Sequence, residues 1–137
     1  MPLPNHDWST QAGNTLISEQ LNYDRNQEHM LAEQHVPQLN AQQRYAHNRI
    51  VSSTETHASQ AFFLNSPGST GKTFVYNTIC NMVRSKGFIV LCIASSGIAA
   101  LLLRGGRTTH PMFKISLKPD ESTYCPISKQ GRLADLI

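Results

Sequence analysis

The order of apolar and polar positions divides the chain into a polar lead and a core with two kinds of apolar pattern. Residues 1–38 are rich in Asn and Gln, and Leu16, Ile17, Leu21, Met30 and Leu31 fall only loosely on one side of a helix. This predicts a linker with a marginal helix near 16–34. From Leu39 onward the pattern sharpens. Asn40 stands three residues before Gln43, a capping-box spacing, and predicts a helix over about 41–53 with Ala46, Ile50 and Val51 inward. Residues 61–64, Ala-Phe-Phe-Leu, read as a short buried strand. Val75, Ile79, Met82 and Val83 then recur at i, i+4, i+7 and i+8, the stripe of a helix packing on a sheet. Arg84 and Lys86 suit that helix's C-terminus and Gly87 its stop. The continuous apolar run 88–94 predicts a strand covered on both faces. Strand, glycine loop, helix and strand form a βαβ unit, so the expected fold class is α/β.

Length and charge narrow the partners. The 137 residues fit about one domain. The formal charge of +3 hides a strong asymmetry. Residues 1–60 carry three cations against six acids, and residues 120–137 are also slightly acidic. Residues 61–119 hold seven cations and no carboxylate. Such a block fits an anionic partner, nucleotide or nucleic acid, and equally a solvated basic face. No apolar run approaches the ~20 residues of a membrane span. Residues 1–7 lack the basic and apolar regions of a secretory signal. Three cysteines without Cys-x-x-Cys spacing predict neither a disulfide framework nor a zinc site, and fit a reducing compartment.

The strongest chemical signal is Ser-Pro-Gly-Ser-Thr-Gly-Lys-Thr at 66–73, between the first predicted strand and the helix after it. It follows the phosphate-loop pattern G-x-x-x-x-G-K-[ST], with Ser66 at the first glycine position. Small residues let backbone N–H groups curl around phosphate oxygens, here Gly68, Ser69, Thr70 and Gly71, with Pro67 in the same nucleotide-binding loop. The helix that follows aims its positive end at the same anion. Lys72 would reach the β- and γ-phosphates, and the Thr73 hydroxyl would bind Mg²⁺. Ser66 carries a Cβ and takes positive φ less readily than glycine.

A second patch lies past the next strand. Ser95, Ser96 and Gly97 fall at its carboxyl end, where α/β sheets bind ligands. Arg107, Thr108, His110 and Phe113 add a cation, donors and a stacking surface suited to single-stranded nucleic acid. Phe113 reads equally as a core residue, and His110 more simply as a local hydrogen-bonding group.

Together, 39–43 (Leu-Asn-Ala-Gln-Gln), the Gly-Lys-Thr loop, 94–100 (Ala-Ser-Ser-Gly-Ile-Ala-Ala) and 106–115 (Gly-Arg-Thr-Thr-His-Pro-Met-Phe-Lys-Ile) resemble four successive motifs of the PIF-one-like DNA helicases, most of all the branch carried by Helitron transposons. The resemblance covers about 39–137. It implies a P-loop NTPase with part of a RecA-like parallel sheet and flanking helices, preceded by the polar lead. It also implies an ATP- and Mg²⁺-dependent motor moving 5′ to 3′ on single-stranded DNA in repair, recombination and telomere maintenance, in the nucleus or mitochondria. Carried over, Gln43 reads adenine, 67–73 hold the phosphates, and Ser95, Ser96, Gly97, Arg107, Thr108, His110 and Phe113 line the DNA path. The family's glycines at Ser66 and Ser69 are replaced here. Its next element, a buried strand ending in Asp-Glu, and its arginine finger have no counterpart in 1–137. The resemblance therefore implies an N-terminal fragment of the motor domain, inactive alone. Two other readings stand beside it. One is a non-catalytic nucleotide- or DNA-gripping remnant of a transposon helicase. The other is a small-molecule kinase, which the acid-free 61–119 argues against.

Overall fold

The computed structural model describes residues 15–116, 118, 120–127, 129 and 131–136; the segment 1–7 read for a leader lies outside them. Helix α1 spans Thr15–Leu21, α2 Arg25–His35, α3 Ala41–Glu55 and α4 Lys72–Ser85. A 3-10 turn, Val36–Gln38, joins α2 to α3. Strand β1 (Ile93–Ala94), α5 (Gly97–Leu102), β2 (Arg107–Thr108) and α6 (Thr109–Phe113) follow, and α7 is Arg132–Leu136.

Local chemistry explains the helix ends. The Asp24 carboxylate accepts from the N–H groups of Asn26 at 2.9 Å and Gln27 at 3.4 Å, capping α2. The Asn40–Gln43 capping box forms in both directions, at 2.9 and 3.0 Å. At the end of α4, the Phe88 N–H donates to the Val83 carbonyl and the Gly87 N–H to that of Arg84. This is a Schellman closure, with Gly87 at φ +84°.

The core is small. Leu39, Val51, Val75, Ile79 and Val83 are buried, with Ile50, Leu64, Phe74, Met82, Phe88 and Val90 packed around them. Thus α4 presents the stripe its spacing predicts, against α3 on one side and α2 on another.

Two expectations change. The lead holds two helices rather than one marginal helix. In α2, Ala32 and Glu28 are fully buried in the packing against α4. The strands are also shorter than expected. Among the described residues only Ile93–Ala94 pairs, parallel to Arg107–Thr108, with Ile93 opposite Arg107 and Ala94 opposite Thr108. Residues 61–64 and 88–92 join no ladder among the described residues, and Phe63 is 92% exposed. An apolar run needs a neighbouring strand to become sheet, and no such neighbour flanks these runs among the described residues. The observed architecture is helices around a two-stranded parallel sheet, compatible with α/β.

Candidate nucleotide and nucleic-acid site

Residues 66–73 form a self-braced loop that feeds α4. The Lys72 ammonium folds back and donates to the carbonyls of Ser66 at 2.6 Å and Pro67 at 2.8 Å. It is therefore half-buried and part of the loop's framework, not a freely projecting cation. The Thr70 hydroxyl donates to the Pro67 carbonyl at 2.8 Å and lies 2.7 Å from the Ser66 hydroxyl. Gly71, at φ +77°, turns the chain into the helix without a side-chain cap. The first N–H groups of α4 therefore have no side-chain acceptor, the arrangement that receives an anion. The Thr73 hydroxyl makes no hydrogen bond to a described residue.

Gln43 ties this loop to α3. Its side-chain carbonyl accepts from the Asn40 N–H, and its amide donates to the Thr70 carbonyl at 3.0 Å. The capping role and contact with the phosphate loop thus coexist in one side chain. The positive φ at Gly71 favours glycine, and a Cβ there would crowd the Gln43 amide nitrogen at 3.0 Å. Asn40, Gln43, Ser66, Pro67, Thr70 and Lys72 border a cavity of about 210 Å³.

The serine at the first glycine position is not the strained one. Ser66 does not have positive φ, whereas Ser69 sits at +59°. Left-handed backbone costs an L-residue roughly 1–2 kcal/mol, and glycine gives back about 0.5–1 of that in chain entropy. Ser69→Gly is therefore expected to raise stability by roughly 0.5–1 kcal/mol, while Ser66→Gly, which removes a hydroxyl contact to Thr70, brings no gain. Urea midpoints at constant m-value measure both. A loss of stability in Ser69→Gly contradicts the strain assignment.

The second patch gathers at the carboxyl ends of the paired strands. Parallel pairing brings Ser95, Ser96 and Gly97, which follow β1, beside Thr108, which ends β2. Ser95, Ser96 and Gly97 are exposed. The Ser96 hydroxyl accepts from the Ala99 N–H at 3.2 Å and caps α5, a structural duty the sequence reading did not assign. The Thr109 hydroxyl donates to the Ala94 carbonyl at 3.1 Å, fixing α6 against β1. His110 is exposed on α6 and Phe113 is half-buried, midway between its two readings. Arg107 is exposed, but its guanidinium meets the Glu19 carboxylate at 3.2 Å, so an acid from the lead already neutralises it.

Residues outside both motifs link the two patches. Asn77 on α4 donates to the Leu102 carbonyl at 2.9 Å and accepts from the Arg104 N–H at 3.0 Å. Arg84 donates to the Arg104 carbonyl at 3.0 Å and stacks 4.0 Å over the Tyr23 ring. A Cβ on Gly105 would strike the Tyr23 hydroxyl, and one on Gly106 the Ala100 carbonyl, which explains the glycine pair before β2. The helix that opens at Lys72 is thus bonded to the turn that leads into Arg107 and Thr108. Asn77 is half-buried and lies off the Val75–Ile79–Val83 stripe, so the apolar spacing of α4 gave no signal for this bridge.

No curated protein matches the chain significantly. A family model, PIF1-like helicase, matches residues 38–137, which takes in the capping box, the phosphate loop and the patch beyond β1. With that match over most of its length, the chain belongs to the PIF1-like helicase family.

Proposed function

We propose that the chain forms the nucleotide-gripping and DNA-contacting part of an ATP-dependent DNA helicase of the Helitron-borne kind, moving 5′ to 3′ on single strands in repair, recombination and telomere maintenance, in the nucleus or mitochondria. The observation that carries this reading is the convergence of Gln43 and Lys72 on one loop at the start of α4. The residues present suit ATP with Mg²⁺. The cavity beside Lys72 is bordered by loop atoms and Gln43, the N–H groups at the start of α4 lack a side-chain cap, and the Thr73 hydroxyl makes no hydrogen bond among the described residues. Magnesium keeps several waters and takes few protein ligands beside phosphate oxygens, so the Thr73 hydroxyl would fill one position of its shell.

In this reading 68–71 present backbone donors to phosphate, Pro67 shapes the loop before them, and Thr73 would hold the metal. Lys72 exchanges its two carbonyl partners for phosphate oxygens, a stronger, doubly charged pairing. Gln43 holds the Thr70 carbonyl in place and faces the base. Bound ATP–Mg²⁺ supplies the phosphoryl group whose transfer to water drives the motor. Asn77 and Arg84 would carry loop movements from α4 to the turn before β2.

The DNA arm of the proposal has its own test. Three or four cations along the strand path give a log–log salt slope of roughly −2 to −3 for oligothymidine binding. Because Glu19 pairs with Arg107, Glu19→Gln is expected to tighten binding and steepen the slope by about 0.7. Arg107→Ala should shift neither affinity nor slope in that direction. Fluorescence anisotropy across a salt series reads both. A slope near zero, or no change in Glu19→Gln, means the basic block is a solvated face.

A further inference from the structure

Cys80 on α4 and Cys92, one residue before β1, place their sulfurs 3.2 Å apart in the interior. Both side chains are more than nine-tenths buried. The two thiols are twelve residues apart in sequence, and the fold, not local spacing, brings them together. The contact is polarised. The Arg84 guanidinium lies 3.7 Å from the Cys92 sulfur. Donation from the Cys80 thiol, followed by the Arg84 charge, holds the Cys92 thiol below its ordinary range, while Cys80 is pushed up by that same bond and by burial. Cys92 also lines a small cavity of about 10 Å³ with Gln20, Gly105, Arg107 and Met112, space for about one water-sized molecule.

We infer that Cys80 and Cys92 form a reversible dithiol–disulfide site that takes a small two-electron oxidant of the peroxide class and, when oxidised, fastens the helix of the phosphate loop to the strand leading into Ser95. The Cys92 thiol gives up its proton, its thiolate attacks one peroxide oxygen, the O–O bond breaks, sulfenic acid forms, and the departing hydroxide takes up that proton as water. The Cys80 sulfur then attacks the Cys92 sulfur. The S–O bond breaks, and the departing hydroxide takes the Cys80 proton as water. Two thiols lose two electrons, and one peroxide becomes two waters. The arrangement fits each step. A thiolate is the nucleophile, Arg84 stabilises it, and the resolving thiol is already in contact. Closure to a bond of about 2.05 Å moves the sulfurs by only about 1 Å. The space beside Cys92 holds about one water-sized molecule, so a peroxide needs only slight local widening to reach the sulfur. This site stands apart from the nucleotide reading and does not depend on it.

The exposed third thiol, Cys125, is removed first as Cys125→Ser, a surface change that leaves the core intact. The folded variant is treated with hydrogen peroxide, quenched, denatured and alkylated. The expected result is an unalkylated monomer lighter by two hydrogens, a Cys80–Cys92 linked peptide on digestion, full reversal by dithiothreitol, and a midpoint raised by roughly 10 °C. Two alkylatable thiols after treatment, or sulfinic acid at Cys92 without a linked peptide, or a disulfide between two chains, would each overturn the proposal. Arg84→Lys serves as a second measurement. It keeps a cation but loses the forked donor set, and should slow oxidation several-fold without changing the linked peptide. An unchanged rate removes Arg84 from the account.

Discussion

Lys72→Ala is expected to weaken binding of ATP–Mg²⁺ by at least about a hundredfold, or roughly 2.7 kcal/mol. The ammonium is the charge nearest the cavity at the head of α4, and it already lies on the loop carbonyls of Ser66 and Pro67. Removing it deletes a charge-assisted contact to phosphate and also loosens the loop that aims the backbone donors. The fold should survive. Both carbonyls belong to a loop that water reaches, and Lys72 is not among the residues of the core cluster. Titration calorimetry on the wild-type and variant chains reads the affinity, and circular dichroism the fold. Equal affinity in the two chains removes phosphate binding from this loop. A collapse of the fold means that Lys72 is chiefly a structural brace.

Arg104→Ala is expected to cost about 3–5 kcal/mol of stability, a large share of the 5–15 kcal/mol typical of a folded domain. Its guanidinium nitrogen lies 2.8 Å from a Glu28 carboxylate oxygen, and Glu28 is fully buried. The contact is a charge pairing outside hydrogen-bond angles, so neither Glu28 oxygen has an aligned donor. Coulomb attraction is then the main compensation for burying that carboxylate. Truncating Arg104 leaves an uncompensated charge between α2 and α4. Its backbone contacts to Asn77 and Arg84 remain. Urea unfolding measures the loss. The double replacement Glu28→Met with Arg104→Met should recover most of it, because paired apolar groups need no partner. A single-variant loss under about 1 kcal/mol would show that water or another cation serves Glu28.

The parts of this arrangement that were legible in the sequence are those fixed by short spacing. Asn40 and Gln43 are three residues apart, and the box between them forms in both directions. Val75, Ile79 and Val83 fall on one helical face and are buried together. Gly87 closes α4 because its neighbours' carbonyls need donors within one turn. The remainder depends on contacts between distant segments. Glu28 in a stretch rich in Asn and Gln reads as a solvated acid, and its ion-pair partner among the described residues is Arg104, far along the chain. The pairing of Arg107 with Glu19 is equally nonlocal. Strand β2 is two residues long, too short for any periodicity to register. The backbone strain also falls on Ser69 rather than Ser66, because sequence pattern names the loop but not which residue within it turns left-handed. Ser96 carries two readings at once, cap and ligand contact, and spacing alone pointed to only one of them.

The most direct test of the central claim, that 66–73 with Gln43 grips nucleotide phosphate, is a ¹⁵N NMR titration of the 137-residue chain with ATP–Mg²⁺. Saturable shifts are expected at the backbone amides of Gly68 through Thr73 and at the Gln43 side-chain amide, with smaller ones at Asn77 and Arg104. Shifts absent from 68–73, or confined to 107–113, would contradict it.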